Sequence, residues 1–335
     1  MTQFAPELCH RNWMATHAPK LAFPADRDFT AWCVEVNAKL RELIGDMPER
    51  APLDLRREYE RDCDGFREIR FIFTSEPDSD VPCHLLIPTG TSQPIPVVIC
   101  LQGHSTGMHI SLGRPKYDGD EASIAGGRDF GIQAVRHGYA ALILEQRCFG
   151  ERKDARRGGK HDCKHATMTA LLLGRTMIGE RVWDVGRAID ALTEFKEIDT
   201  SRIACMGNSG GGTITYYAAC LDSRISVAMP SCAFCTYRDS IAEIDHCPDN
   251  YIPSARRYFE MADLAALIAP RPLIVVAGRE DTIFPIDGVR EAFDTVSAIY
   301  TAAGAPDKCR QVIGDEGHRF YPDQAWPAFA ELSGW

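Results

Sequence analysis

Three residues, each just beyond an apolar run, have the types and order for nucleophilic chemistry: Ser209, Asp281 and His318. A serine hydroxyl is a weak nucleophile at neutral pH. It needs a base such as imidazole to take its proton, and a carboxylate to orient that ring and stabilise its charged form. Ser209 stands in Gly207-Asn208-Ser209-Gly210-Gly211, between the apolar run Ile203 to Met206 and the helix-like composition of Thr213 to Leu221. This reads as strand, tight turn and helix, with the serine at the apex of G-x-S-x-G. Gly207 and Gly211 keep Cβ atoms out of the turn, which pushes the hydroxyl above the sheet edge. A glycine-rich connection with an incidental serine, or a phosphate cradle, is the competing reading, so the rest of the chain has to supply the partners.

Both partners follow in order. The apolar run Leu273 to Ala277 leads into Gly278-Arg279-Glu280-Asp281, and Gln311 to Ile313 leads into Gly314-Asp315-Glu316-Gly317-His318. Each places its polar residue in the loop at a strand's carboxyl end. Glu280 is an alternative to Asp281 as the orienting acid, and Asp239 and Asp245 are remoter ones. Asp315 and Glu316 lie too close along the chain to approach the His318 ring and read as solvated loop acids. A tetrahedral intermediate also needs two preorganised N–H donors for its oxyanion. One is the amide of Gly210. The other comes from Gln102-Gly103-His104-Ser105, after the run Val97 to Leu101, and the amide of His104 is favoured. The His104 imidazole lines the pocket or packs, with no direct catalytic role.

Positioning these loops requires strands that end side by side. Short continuous apolar runs at Val97–Leu101, Ala140–Leu144, Ile203–Met206, Ile225–Met229, Leu273–Ala277 and Gln311–Ile313 suit a parallel sheet covered on both faces. Ile178, Val182, Val185, Ile189 and Leu192, and again Val289, Phe293, Val296 and Tyr300, are spaced as amphipathic crossover helices. Alternation around Ile69–Phe73 and His84–Ile87 predicts two antiparallel strands at a sheet edge. Residues 1–54 read as an N-terminal helical extension centred on Phe29 to Ile44. Residues 55–335 read as one α/β catalytic domain with insertions near 105–136 and 231–262.

Composition narrows the partners. The 335 residues carry a formal net charge of −10, which argues against nucleic acid, because phosphate neutralisation needs clustered Lys and Arg. No run approaches a membrane span, and the first residues lack a basic stretch followed by an apolar one. The 13 cysteines are scattered, several in apolar runs, as expected of reduced thiols and a cytoplasmic protein. Two groups invite a metal reading: Cys232 and Cys235 with His246-Cys247, and His161, Cys163 and His165. Neither completes a second ligand pair at spacing, and the serine chemistry needs neither metal nor cofactor, so thiols in loops are the expectation. Trp183-Asp184 and Arg147 are expected to tie a helix to neighbouring loops. Tyr117, Phe234, Tyr237 and Tyr251 either wall a pocket or pack the insertions down.

The chain resembles the serine esterases of the α/β-hydrolase superfamily and, within it, the dienelactone-hydrolase-like and acetyl xylan esterase-like groups. The resemblance is carried by VVICLQGH (97–104), GYAALILEQRCFG (138–150), GERVWDVGRAIDAL (179–192), the Ser209 turn, PRPLIVVAGRED (270–281) and Gly317-His318, across residues 55–335. It implies an α/β-hydrolase fold, a Ser209–His318–Asp281 triad and hydrolysis of short-acyl esters, acetyl ones and carbohydrate ones included. The expected partner is a small-molecule ester, with a homo-oligomer left open. Two departures stand out: Ser209 occupies the position where dienelactone hydrolases proper carry cysteine, and Gln102 the one where the superfamily often has histidine. A peptidase of the prolyl-oligopeptidase kind would share the triad, but this chain has no room for a β-propeller. An amidase and a non-catalytic binding protein on the same scaffold are the other rivals.

Overall fold

The computed structural model describes residues 4–23, 27–92, 94–154, 156 and 162–335. Among the described residues nine strands form one sheet: β1 (Arg56–Cys63), β2 (Phe66–Glu76), β3 (Ser79–Pro88), β4 (Ile95–Leu101), β5 (Ala140–Leu144), β6 (Ile198–Asn208), β7 (Ile225–Ser231), β8 (Leu273–Gly278) and β9 (Cys309–Gly314). Their spatial order is β1-β2-β3-β5-β4-β6-β7-β8-β9. The first three run antiparallel, β3 pairs antiparallel with β5, and every pairing from β5 through β4 to β9 is parallel. This is the α/β-hydrolase fold expected from the strand-and-helix grammar.

The continuous apolar runs are explained by burial on both faces. Val97, Ile99 and Leu101 of β4 point into one core, together with helices Met177–Leu192, Gly210–Leu221 and Ile286–Ala302. Val98 and Cys100 point into the other, against helices Phe130–Arg136 and Pro322–Ser333. Period-2 alternation along the strands thus serves two cores, and neither face leaves room for polar residues. The stretch 105–136 ends in helix Phe130–Arg136, which leads into β5.

The antiparallel edge holds one strand more than its sequence predicts. β1 is RREYERDC and is exposed along almost its whole length. Charged residues on both faces hide such a strand from any apolar pattern, and on a sheet edge they discourage pairing with another chain. Glu68 of β2, fully buried, accepts from Arg114 at 2.9 Å, from Arg61 and from His84.

In the N-terminal extension, helix Phe29–Leu43 inserts Trp32, Val36 and Leu40 into the first core. Its start is capped by Asp28, which accepts from the Ala31 amide at 2.7 Å. Helix Pro6–Thr16 buries none of its side chains.

Candidate active site

Ser209 follows β6 directly, at φ 57° and ψ −130°, and starts helix Gly210–Leu221. A non-glycine residue holds such a conformation only where its surroundings enforce it. Here the Ser209 amide donates to Ser231 O at 2.8 Å, and Ser209 O accepts from the Thr213 amide at 2.9 Å. The flanking glycines are required by contact: a Cβ at Gly211 would lie 2.1 Å from Leu101 O, and one at Gly207 2.6 Å from both Gly211 O and Leu101 O. Close packing of the turn against the end of β4 thus fixes both, independently of any phosphate.

Asp281 lies past β8 and His318 past β9. His318 Nδ1 is 2.8 Å from Asp281 Oδ2, while Asp281 Oδ1 accepts from the amides of Ile283 (2.8 Å) and Phe284 (3.2 Å). Burial works against ionisation of the Asp281 carboxyl, but the His318 bond and charge and these two amides hold it below its ordinary value. The His318 ring stacks on Phe284, with centroids 6.1 Å apart. Its Nε2 has no hydrogen-bond partner among the described residues, and neither has the Ser209 hydroxyl. Glu280 is exposed, Asp239 pairs with Arg238, Asp245 is exposed, and Asp315 and Glu316 pair with Arg279 and Arg319 at the surface. Asp281 is the acid brought to the His318 ring.

The loop after β4 meets the turn. A Cβ at Gly103 would lie 2.8 Å from Ser209 Cβ and 3.1 Å from the Gly210 nitrogen, and one at Gly210 would lie 3.1 Å from His104 Nδ1. The Gly103–His104 segment therefore lies against Ser209 and Gly210, so the two segments whose His104 and Gly210 amides are the expected oxyanion donors are adjacent. Gln102 is buried beside it, its Nε2 donating to Ser111 Oγ and to Arg128 O at 2.7 Å each, while its Oε1 has no hydrogen-bond partner among the described residues. His104 directs the Nε2 of its ring to the buried Asp249, 3.1 Å from Oδ1. Burial opposes its charge, yet its hydrogen bonds to Asp249 and Cys247 and the Asp249 charge raise its pKa to about 9.

Two residues beside the site carry no signal in the sequence. Arg128 donates to His318 O at 3.4 Å; with the Asn208 amide oriented to satisfy both its ends, Arg128 also donates to Asn208 at 3.2 Å. It thereby spans the serine turn and the histidine loop, and burial lowers its pKa. With His318, Arg319, Ala122, Ser123, Ala125 and Gly126 it lines a hollow of about 470 Å³. Asp249 is the second, and nothing distinguishes it in the sequence from the other loop acids nearby.

The thiol groups sort differently from their spacing. Cys232 lies beside the Asp281–His318 pair and donates to Arg319 O at 3.2 Å, whereas Cys235 donates to Pro285 O at 3.7 Å. Cys247 joins His104, Asp249 and Cys163 instead, and His165 is exposed. His161 lies outside the described residues. Phe234 and Tyr237 are buried in the core, Tyr237 bonded to the Tyr217 hydroxyl at 2.6 Å. Tyr251 bonds Ile241 O at 2.8 Å, and Tyr117 packs edge-on to His109. Trp183 donates to Ser75 O and Asp184 pairs with Arg147 and Arg152, the tethering role expected of them.

A sequence model described as the abhydrolase family matches residues 11–322. The chain belongs to the abhydrolase family. This abhydrolase is 27% identical over 295 residues to YtaP of Bacillus subtilis (strain 168), a match covering 85% of the chain and 93% of YtaP. It is 29% identical over 172 residues to 4-O-methyl-glucuronoyl methylesterase 1 of Wolfiporia cocos (strain MD-104), covering 42% and 41% of the two chains. Among solved structures it superposes on a glucuronoyl esterase from Solibacter usitatus with a TM-score of 0.72 at 16% identity, covering 96% and 97%. It superposes on an acetyl xylan esterase from Paenibacillus sp. R4 with a TM-score of 0.61 at 19% identity, covering 97% and 99%. No helix among the described residues of this abhydrolase is long and apolar enough to cross a membrane.

Proposed function

We propose that this abhydrolase is a serine carboxylic-ester hydrolase acting through an acyl-enzyme, on short-acyl esters of carbohydrates. The observation that carries the reading is the His318–Asp281 pair, held in the two loops after β8 and β9, on the sheet edge where Ser209 stands on its constrained turn. Ser209 Oγ attacks the ester carbonyl while His318 Nε2 takes its proton. Asp281 holds Nδ1–H toward itself, so the ring presents the correct tautomer and its positive charge is balanced. The Gly210 and His104 amides receive the oxyanion. His318 returns the proton to the departing alcohol, and water then enters by the same route in reverse roles. No step needs a metal or cofactor.

The carbohydrate part rests on the similar structures, acetyl xylan and glucuronoyl esterases among them. It is also supported by the Arg128 guanidinium beside the hollow at His318, which suits an oxygen-rich substrate. Purified protein offered p-nitrophenyl acetate, acetylated xylo-oligosaccharides and methyl glucuronate tests both levels. Hydrolysis that Ser209→Ala abolishes supports the esterase reading. Activity undiminished in Ser209→Ala, or absent from the wild type on every ester, contradicts it. Preference among the three substrates reads out the acyl and sugar specificity.

A further inference from the structure

The two cysteine groups unused by the serine chemistry contribute one member each to a single cluster. Cys163 opens helix Cys163–Leu172, and Cys247 and Asp249 flank Pro248 at the turn Pro248–Asn250. His104, from the loop after β4, completes a set of four side chains whose donor atoms all lie within 4.8 Å of one another. Four ligands bound to Zn²⁺ at about 2.0–2.3 Å in a tetrahedron are separated from each other by about 3.3–3.8 Å. The cluster thus needs a contraction of at most about 1.5 Å, within the reach of side-chain rotation.

We propose that His104, Cys163, Cys247 and Asp249 form a closed four-ligand site for a borderline-soft divalent cation, Zn²⁺ foremost, which clamps the oxyanion loop to its neighbours. The site would tie three separate segments together: the loop after β4, the start of helix Cys163–Leu172, and the 231–262 stretch. Two thiolates, an imidazole and a carboxylate are donors that select Zn²⁺ over the oxygen-seeking Mg²⁺ and Ca²⁺. With all four protein positions filled, the ion has a structural role and stands outside the acyl-transfer steps.

Charge balance supports the assignment. Both thiols lose their protons to solvent on binding, so the two thiolates and Asp249 present three negative charges. Arg181, with a side chain only 1% exposed, donates to Asp249 Oδ2 at 2.7 Å and to Cys163 Sγ at 3.5 Å, and balances one of them. A divalent ion balances the other two. Arg181 also holds two of the four ligands in orientation, as outer partners of metal ligands do. It is fixed in turn by a bond to Arg147 O at 2.8 Å and by the Phe149 ring.

The test is independent of esterase activity. Reduced, chelator-stripped wild-type protein is titrated with Zn²⁺ and separately with Co²⁺. About one equivalent of either is expected to bind, and the Co²⁺ form is expected to show an intense thiolate-to-metal band in the near ultraviolet. Zn²⁺ should raise the melting temperature of the wild type. Cys247 is half-buried, so Cys247→Ser is the variant expected to keep its fold, as checked by circular dichroism. It should weaken Zn²⁺ binding by at least about 100-fold and remove most of the band and the thermal shift. Cys163→Ser should do the same. Uptake below about 0.1 equivalent by the wild type, or binding that survives both substitutions, overturns the proposal.

Discussion

Two imidazole–carboxylate pairs flank the serine turn, and they are built differently. In one, His318 meets Asp281 through Nδ1, and the carboxylate's other oxygen is satisfied by two backbone amides. In the other, His104 meets Asp249 through Nε2, and the carboxylate is shared with the buried Arg181. The first pair therefore leaves Nε2 as the ring atom for a further proton transfer. The second commits that atom to a charge cluster whose strongest partner is a guanidinium. Histidine beside aspartate is thus insufficient to mark a base: the ring nitrogen used, and what else holds the acid, decide whether the pair can exchange a proton or only fix a loop.

Substitutions at the two pairs should separate chemistry from architecture. The largest effect is expected at His318→Ala, where kcat should fall by about 10³- to 10⁶-fold, measured on p-nitrophenyl acetate. Asp281→Asn should lower kcat by about 10⁴-fold with little change in KM, because the wrong tautomer is favoured. His104→Gln should cost less than about 10-fold, since the proposed oxyanion donor there is the backbone amide. An equal loss at His104 and His318 would break the distinction between the pairs.

Stability should rank the pairs the other way. Asp249→Ala leaves the Arg181 charge buried and uncompensated, and should cost about 3–5 kcal/mol in chemical denaturation. Asp281→Asn should cost less than about 1.5 kcal/mol, because its isosteric amide keeps one acceptor for the Ile283 amide. The smallest effect is one of pH, read on chelator-treated protein. The His104 ring is raised from its ordinary 6.5 to about 9, so its stabilising contribution is complete below pH 6.5 and is lost as pH rises through 9. The melting temperature should fall over that window in the wild type and less steeply in His104→Gln. Asp249 contributes with the opposite sign: Arg181 and His104 outweigh the burial that opposes its ionisation and hold it below the usual carboxylate range, so its share is lost only in acid.

The same contrast explains what was legible in the sequence. Ser209, Asp281 and His318 each stand just past an apolar strand, so strand spacing exposed them and their order. The Gly207 and Gly211 requirement was readable because backbone contact leaves no alternative residue. Asp249 and Arg128 were not readable, since each lies in an irregular stretch where neither period nor motif distinguishes one charged residue from the next. Cys163 and Cys247 stand in separate groups along the chain, and only the fold joins them through His104. β1 escaped for the related reason that an exposed edge strand carries no apolar alternation. Periodicity reports what is buried against the sheet, and charge partnerships between loops lie outside its reach.

The central claim is that Ser209 is activated by the His318 pair and not by the His104 pair. Labelling with a fluorophosphonate, followed by peptide mass mapping, tests it directly, because the reagent bonds only to an activated serine. A single adduct on Ser209 is predicted in the wild type, lost in His318→Ala and retained in His104→Gln. An adduct that persists without His318, that vanishes with His104, or that maps to another serine would contradict the claim.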